Sequence, residues 1–329
     1  MTIKERPGVY AEYMVNSGAI PADTALTVGV AAQVIGSGTA VESVGSYLAS
    51  VQSYGVSNMS KLIKTLYLNG CGSILAAPVA SSNYAAAFTG LINKGADIII
   101  CDSADAAVIS ALNTAISGTD YCMGIAECAG TAVQCVSLAQ SINFERIVIC
   151  GNSDGVSGNI SAALAGVIAS ESELYLNSHA LLGIGTLTHS WTEAEIEALI
   201  TGGVTPIEAD GSGVCVVRGV TTKTSTNGVS DKSLREIATV LTVTEVLKSV
   251  YSALKLKFSN AKNDALTRGA IRSQVAVVLQ KKLNEGKISD YGSISAVADT
   301  QNPALCSVGF EFTAVCGLST IALTAYLNV

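Results

Sequence analysis

Charge is what this sequence has least of: Asp, Glu, Lys and Arg make up 14% of its 329 residues, against roughly a quarter in ordinary soluble domains. A chain so poor in charge either covers much of its surface with copies of itself or is poorly soluble alone, and the first reading suits a polymer subunit. Imidazole is scarcer still, with only His179 and His189. A Ser-His-Asp triad needs an imidazole to take the serine proton. Neither histidine lies in an H-G-T-H context, and there is no G-T-S-M-A serine motif. Local hydrogen bonds near Asn177 and Trp191 are expected of these histidines.

Other absences narrow the function further. No G-x-x-x-x-G-K-[ST] occurs, and Gly36-Ser37-Gly38 lacks both the third glycine and the acidic residue that a dinucleotide site needs. Gly151-Asn152-Ser153-Asp154 follows a strand-like run, where a turn is commoner than an anion-holding nest. The carboxylate pairs Asp102 with Asp105 and Glu171 with Glu173 have no further ligands at metal-binding spacing. Nine cysteines, Cys71, Cys101, Cys122, Cys128, Cys135, Cys150, Cys215, Cys306 and Cys316, form no C-x-x-C pair. Buried free thiols are expected. Thr65 to Asn93 carries no charge, but Asn69, Gly70, Gly72, Pro78, Ser81, Ser82 and Asn83 interrupt it too often for a membrane span. No apolar signal segment follows Lys4, Glu5 and Arg6, so cytosolic synthesis is expected. Internal repeats and low-complexity tracts are absent too.

What is present is an alternation of strand-length apolar runs with helical segments. Ala25 to Ile35, Ile74 to Val79, Asp97 to Cys101, Tyr121 to Ala126 and Arg146 to Cys150 read as strands. Leu62 to Tyr67, Tyr84 to Asn93, Ala104 to Ser117, Thr131 to Ile142 and Ser157 to Ala169 read as helices. The pattern predicts an α/β layer structure with a mostly parallel, doubly wound sheet. Thr192 with Glu193, Glu195 and Glu197 predicts a further helix start, Gly202-Gly203 its end, and Val214 to Arg218 a returning strand. Later, Thr242 and Glu245 have capping-box spacing for a helix with Val246, Leu247, Val250, Leu254 and Phe258 on its apolar face. Ser307 to Val315 and Thr320 to Val329 predict a closing hairpin.

The charge that exists is uneven. Met1 to Cys215 holds 6 basic and 18 acidic residues, a net of −12, and Val216 to Val329 holds 13 and 8, a net of +5. The overall charge of −7 and the lack of interleaved aromatics argue against nucleic acid as the partner of the basic third. At its centre lies TRGAIRSQVAVVLQKKLNEGKISDY, Thr267 to Tyr291. Ile271, Val275, Val278, Leu279 and Leu283 mark one face of a helix, with Arg268, Arg272, Lys281 and Lys282 largely off it. Gly286 sits where a C-cap wants positive φ, and Lys281, Lys282 and Lys287 suit the negative end of the helix dipole.

Seven segments in this order resemble the sheath proteins of contractile tails, found in myophages and phage-tail-like bacteriocins. They are RPGVYAEY (Arg6 to Tyr13), LYLNGCGSI (Leu66 to Ile74), ERIVICG (Glu145 to Gly151), EIEALITGGVTPIE (Glu195 to Glu208), VVRGVTTKT (Val216 to Thr224), the Thr267 segment and GLSTIALTAYLNV (Gly317 to Val329). The resemblance implies an N-terminal arm and linker over 1–20 and a subtilisin-like α/β domain without catalytic residues over 21–210. It implies an α+β C-terminal sheath domain over 211–329, ending in an exchanged strand. The expected function is a structural subunit that polymerises around an inner tube and contracts to drive that tube through a bacterial envelope.

The same resemblance implies no enzyme activity, no cofactor and no metal. The implied partners are the chain itself in stacked hexameric rings, the tail tube protein, and the baseplate and tail terminator proteins, with no direct nucleic acid and no membrane insertion. The protein would be made in the bacterial cytoplasm and end in a virion tail or a released tail-like particle. Thr2, Ile3, Lys4, Glu5, Val9 and Tyr10, with Ile321, Leu323, Thr324, Tyr326 and Leu327, would form strands shared between subunits. Arg268, Arg272, Lys281, Lys282 and Lys287 are the candidates to face the tube. A catalytically active subtilisin-fold hydrolase and an oligomeric nucleotide-binding α/β protein are the alternatives.

Overall fold

The computed structural model describes residues 26–35, 38–170, 176–211 and 213–315. The α/β part runs β1 (Thr27–Gln33), β2 (Glu42–Val44), α1 (Tyr47–Tyr54), α2 (Asn58–Leu68), β3 (Ser73–Val79), α3 (Tyr84–Asn93), β4 (Ile98–Cys101), α4 (Ala106–Ser117) and β5 (Met123–Cys128). It continues with α5 (Ala132–Ile142), β6 (Ile147–Gly151), α6 (Asn159–Ser170), β7 (His179–Ala180), α7 (Glu193–Thr201), β8 (Thr205–Asp210), β9 (Gly213–Val216) and the short pair β10 (Ser225–Thr226) and β11 (Val229–Ser230). Then come α8 (Ile237–Phe258), α9 (Ala265–Asn284), β12 (Ile288–Ala298) and β13 (Cys306–Ala314).

One sheet has the order β2-β3-β1-β4-β5-β6-β8-β9-β7. Its six strands from β3 to β8 are parallel; β2 and β9 run antiparallel to them at the two sides, and β7 pairs antiparallel with β9. Parallel strands with helices on both faces are buried on both sides, which is why β4 and β6 appear in the sequence as unbroken apolar runs and β5 as one interrupted by the buried Glu127. On one face Val30, Ile98, Ile100, Ile125 and Val148 pack on α2 and α6. On the other, Ile99, Ala126, Ile147 and Ile149 pack on α3, α4 and α5. The helices start at side-chain caps, with Ser57, Asn83, Asp105, Thr131 and Thr192 each accepting a backbone N–H of the first turn.

A third core joins Val246, Val250 and Leu254 of α8 to Ile271, Val275 and Leu279 of α9 and to Ile288 and Ala296 of β12. One expectation changes here. α8 begins at Ile237 with Glu236 as N-cap, so Thr242 lies inside the helix and forms no capping box with Glu245. β13 pairs antiparallel with β12, a strand the sequence reading did not mark, and its expected hairpin partner Thr320 to Val329 lies outside the described residues.

The first core extends beyond residue 210. Val216, Ile237 and Val240 belong to the first core, and Val246, Val250 and Leu254 of α8 belong to the third, so the chain changes core inside α8. Lys248 fastens that crossing point: its Nζ lies 2.6 Å from Asp97 Oδ1, whose Oδ2 accepts the Thr27 N–H at 2.9 Å. By length and composition α8 is apolar enough to cross a membrane, yet its buried side chains are shared between two cores.

Candidate assembly surfaces

Asp264 caps α9 by accepting the Thr267 N–H at 2.8 Å, and Gly286 follows its end at φ 72°. Beside the cap, Arg268 Nη1 donates to the carbonyl and side-chain oxygens of Asn263 at 3.1 and 3.0 Å. Asn263 Nδ2 in turn donates to the carbonyls of Pro303 and Leu305, so Arg268 helps hold the helix pair onto the β12–β13 connection. Arg272 is exposed, and Lys281 keeps 62% of its side chain in solvent, 3.6 Å from Glu285.

Lys282 does not belong with the tube-facing candidates. It is 4% exposed, with Nζ 2.7 Å from Glu245 and 3.0 Å from Glu285. A step of three from Leu279 returns the helix to its apolar stripe, so position 282 faces inward. Lys287 joins the same carboxylate, donating to both oxygens of Glu245. Burial raises the Glu245 carboxyl, but hydrogen bonds from Lys282 and Lys287 outweigh it and hold the group below its usual range. Burial lowers the Lys282 ammonium, and its bonds to Glu245 and Glu285 leave it above the usual range.

Glu245 thus ties α8, α9 and the start of β12 together. The carboxylate partners of Lys282, Glu245 and Glu285, are about a third exposed, so screening discounts the pairing, and Lys282→Ala is expected to lower stability by about 2 kcal/mol. Arg272→Ala should stay within about 0.5 kcal/mol. Urea denaturation of the two variants checks the contrast, and equal midpoints would refute it.

The β12–β13 hairpin presents Val308, Phe310 and Phe312 to the third core and Ser307, Gly309, Glu311 and Thr313 to solvent. Among the described residues no third strand pairs with it. The expected inter-subunit strand residues Thr2, Ile3, Lys4, Glu5, Val9 and Tyr10, and Ile321, Leu323, Thr324, Tyr326 and Leu327, lie outside the described residues.

The ends of the parallel strands, where α/β proteins usually bind ligands, are filled by internal hydrogen bonds. β1 lies between β3 and β4, so its C-terminal end is the topological switch point. Here Asp102 accepts the Gln33 N–H at 3.0 Å and the Tyr84 hydroxyl at 2.7 Å. Its expected companion Asp105 instead caps α4. Beyond β6, the 151–154 segment is a turn whose polar groups are engaged internally. Asn152 accepts the N–H groups of Ser153 and His189 and donates to the carbonyls of His189 and Ile207. Asp154 accepts from Val156, Asn159 and Gly185.

Ser153 donates to the buried Glu127 at 2.7 Å, and Ile160 N–H at the start of α6 reaches the other oxygen at 3.2 Å. Burial pushes the Glu127 carboxyl up to about 7 in spite of these bonds. His189 stacks on Trp191 with ring centroids 4.7 Å apart, and its Nε2 lies 3.2 Å from the Ala129 carbonyl oxygen. His179 lies in β7, opposite Val216. Among the described residues no group of three or more His, Cys, Asp or Glu is placed to hold a metal. Glu171 and Glu173 lie outside them.

Sequence reasoning missed the Asp97–Lys248 and Glu245–Lys282 ties. The signal was available: Glu245 and Lys248 are the only charges between Ile237 and Leu254, and isolated charges in an apolar helix need partners.

Residues 77–222 match the family model of the phage tail sheath protein central domain. A search of curated proteins finds no match. Among solved structures, a chain of the six-fold symmetrised anti-feeding prophage baseplate is similar with a TM-score of 0.76 at 17% identity, over 99% of this chain and 100% of that one. A chain of the anti-feeding prophage helical sheath in its contracted state gives 0.74 at 14%, over 99% and 100%. The sheath tail protein of Desulfitobacterium hafniense gives 0.69 at 11%, over 94% and 100%. The chain thus matches a phage tail sheath central domain at its middle and shares the fold of these sheath structures along nearly its whole length.

Proposed function

We propose that the protein is the structural subunit of a contractile tail sheath, assembling on itself as stacked six-membered rings around an inner tube. Shortening of the sleeve would drive the tube through a bacterial envelope. The observation that carries this reading is the likeness, over 99% of the chain, to a chain of a helical sheath in its contracted state. The low charge of 14% suits a subunit whose surface is covered by copies of itself. No cofactor is needed if the energy is stored during assembly as a metastable arrangement of contacts, released when folded subunits slide as rigid bodies.

In this reading the sheet domain is a subtilisin-like fold that serves as a scaffold, and the α8–β13 unit is the α+β sheath domain. Arg272 and Lys281 remain the tube-facing candidates, with Arg268 behind them, and baseplate and terminator proteins hold the two ends of the sleeve. The particle would form in the bacterial cytoplasm and leave it as part of a phage tail or a tail-like particle. Electron microscopy of the purified protein tests the assignment: tubes or rings are expected, and particles that stay dispersed under all assembly conditions would overturn it.

The hairpin, with no third strand among the described residues, fits strand addition by chain ends from neighbouring subunits. Deleting Met1 to Glu12 is therefore expected to leave a folded, soluble monomer and to abolish rings and tubes. Sedimentation and circular dichroism read the two halves of that outcome. Full-length sleeves from the truncated chain, or failure to fold, would exclude the arm as a connector.

A further inference from the structure

Three side chains of complementary chemistry meet at the C-terminal end of β5, away from the surfaces assigned to assembly. Cys128 ends the strand, Thr131 caps α5, and Cys135 stands in that helix's first turns. The Cys135 thiol turns back over the strand end, 3.5 Å from the Cys128 carbonyl oxygen and 3.5 Å from that of Gly130. His189 lies nearby, its Nε2 3.2 Å from the carbonyl oxygen of Ala129, the residue after Cys128. Cys128 retains 7% exposure and Cys135 none.

The other interior thiols have no such setting. Burial pushes Cys101 and Cys122 up to about 12 and raises Cys150 further still. Cys128 moves the other way, down to about 7, because the Cys135 thiol hydrogen-bonds to it, with help from a backbone bond at Gly130 and from the His189 imidazole. Cys135 is raised, first by that same bond and then by burial. A lowered thiol facing a raised one, with Cys135 in the first turns of α5, is the asymmetry of a reactive dithiol beside a helix N-terminus.

We propose that Cys128 and Cys135 form a redox-active dithiol that a hydroperoxide closes into an intramolecular disulfide. In the first step the Cys128 thiolate attacks the terminal peroxide oxygen. The S–O bond forms, the O–O bond breaks, and the departing oxide takes a proton to become water or an alcohol, leaving a sulfenic acid. In the second, the Cys135 sulfur attacks the Cys128 sulfur, the S–S bond forms, and the sulfenic oxygen leaves as water with the Cys135 proton. Two thiols are oxidised by two electrons and one hydroperoxide is reduced. The bridge would pin the start of α5 to the end of β5, and a thiol reductant would reopen it.

Hydrogen peroxide added to the folded, full-length protein tests the proposal by timed alkylation and peptide mass analysis. Two of the nine thiols should disappear first. A 2 Da loss should map to a link between 128 and 135, about tenfold or more faster than any change at Cys101, Cys122 or Cys150, and dithiothreitol should restore both thiols. In Cys135→Ser the Cys128 sulfenic acid should persist and be trapped by dimedone, and in Cys128→Ser Cys135 should stay reduced. Oxidation that begins at another cysteine, or a Cys128 still reduced when the buried thiols react, would overturn the proposal on the unaltered protein, whatever the variants do.

Discussion

Gly158→Ala is expected to destabilise the sheet domain by about 4 kcal/mol or more, a large fraction of a usual total of about 5–15 kcal/mol. Gly158 leads into α6, where its carbonyl accepts the Ala162 N–H at 2.9 Å, and its backbone stands at φ 83°. A Cβ there would fall inside van der Waals contact with the Cys101 carbonyl oxygen and crowd the Asp102 Cα. Those atoms are backbone at the end of a central strand and cannot rotate aside. Gly155 separates the two causes, because it too has φ 83° but a Cβ there meets nothing within 4 Å. Gly155→Ala should carry only the conformational penalty, about 1 kcal/mol. Thermal melts of both variants decide the matter: similar losses would mean that α6 does not press on β4 as closely as described.

Glu127 should give the fold a pH dependence of unusual sign. Its carboxyl is raised by burial from 4.5 to about 7, so the folded state holds a proton more tightly than the unfolded chain. The stabilisation is then fully present below pH 4.5 and is lost as pH rises through 7, amounting to about 3 kcal/mol in all. Glu245, Asp231 and Asp264 are held below their usual values, so their contributions change only under more acidic conditions. The urea midpoint should accordingly fall between pH 5.5 and 7, and Glu127→Gln should flatten the curve. Above pH 7 Cys128 works in the opposite direction, because a lowered thiol adds stability as pH rises from about 7. A Glu127→Gln protein that keeps the same slope would rule out Glu127 as its source.

Much of the sheet domain was legible because burial on both faces writes strands as continuous apolar runs. Tyr84 to Asn93 was readable to the residue, since Asn83 caps it and a charged residue follows it. β12 was not legible: Ser289, Asp290, Gly292, Ser293 and Ser295 interrupt its apolar pattern, and a register shift between Gly292 and Ser295 breaks its alternation. The start of α8 was misplaced because Thr242 and Glu245 have a capping-box spacing, while the acid in fact serves Lys282 and Lys287 from another part of the chain. Of the basic candidates, Lys282 was misjudged because its charge suggested solvent although its phase on the helix pointed inward. The Cys128–Cys135 contact depends on how tightly β5 turns into α5, which cysteine counting cannot reveal.

The helix shared between two cores also fixes how a mechanical load would travel through the molecule. Ile237 and Leu254 are anchored in different cores, about 26 Å apart along an α-helix. A pull on the hairpin end of the protein would therefore act along a hydrogen-bonded rod and enter the parallel sheet at Asp97, where β4 begins. Strands pulled along their length resist as a whole ladder, whereas a flexible linker would have let the two parts swing and dissipate the stroke.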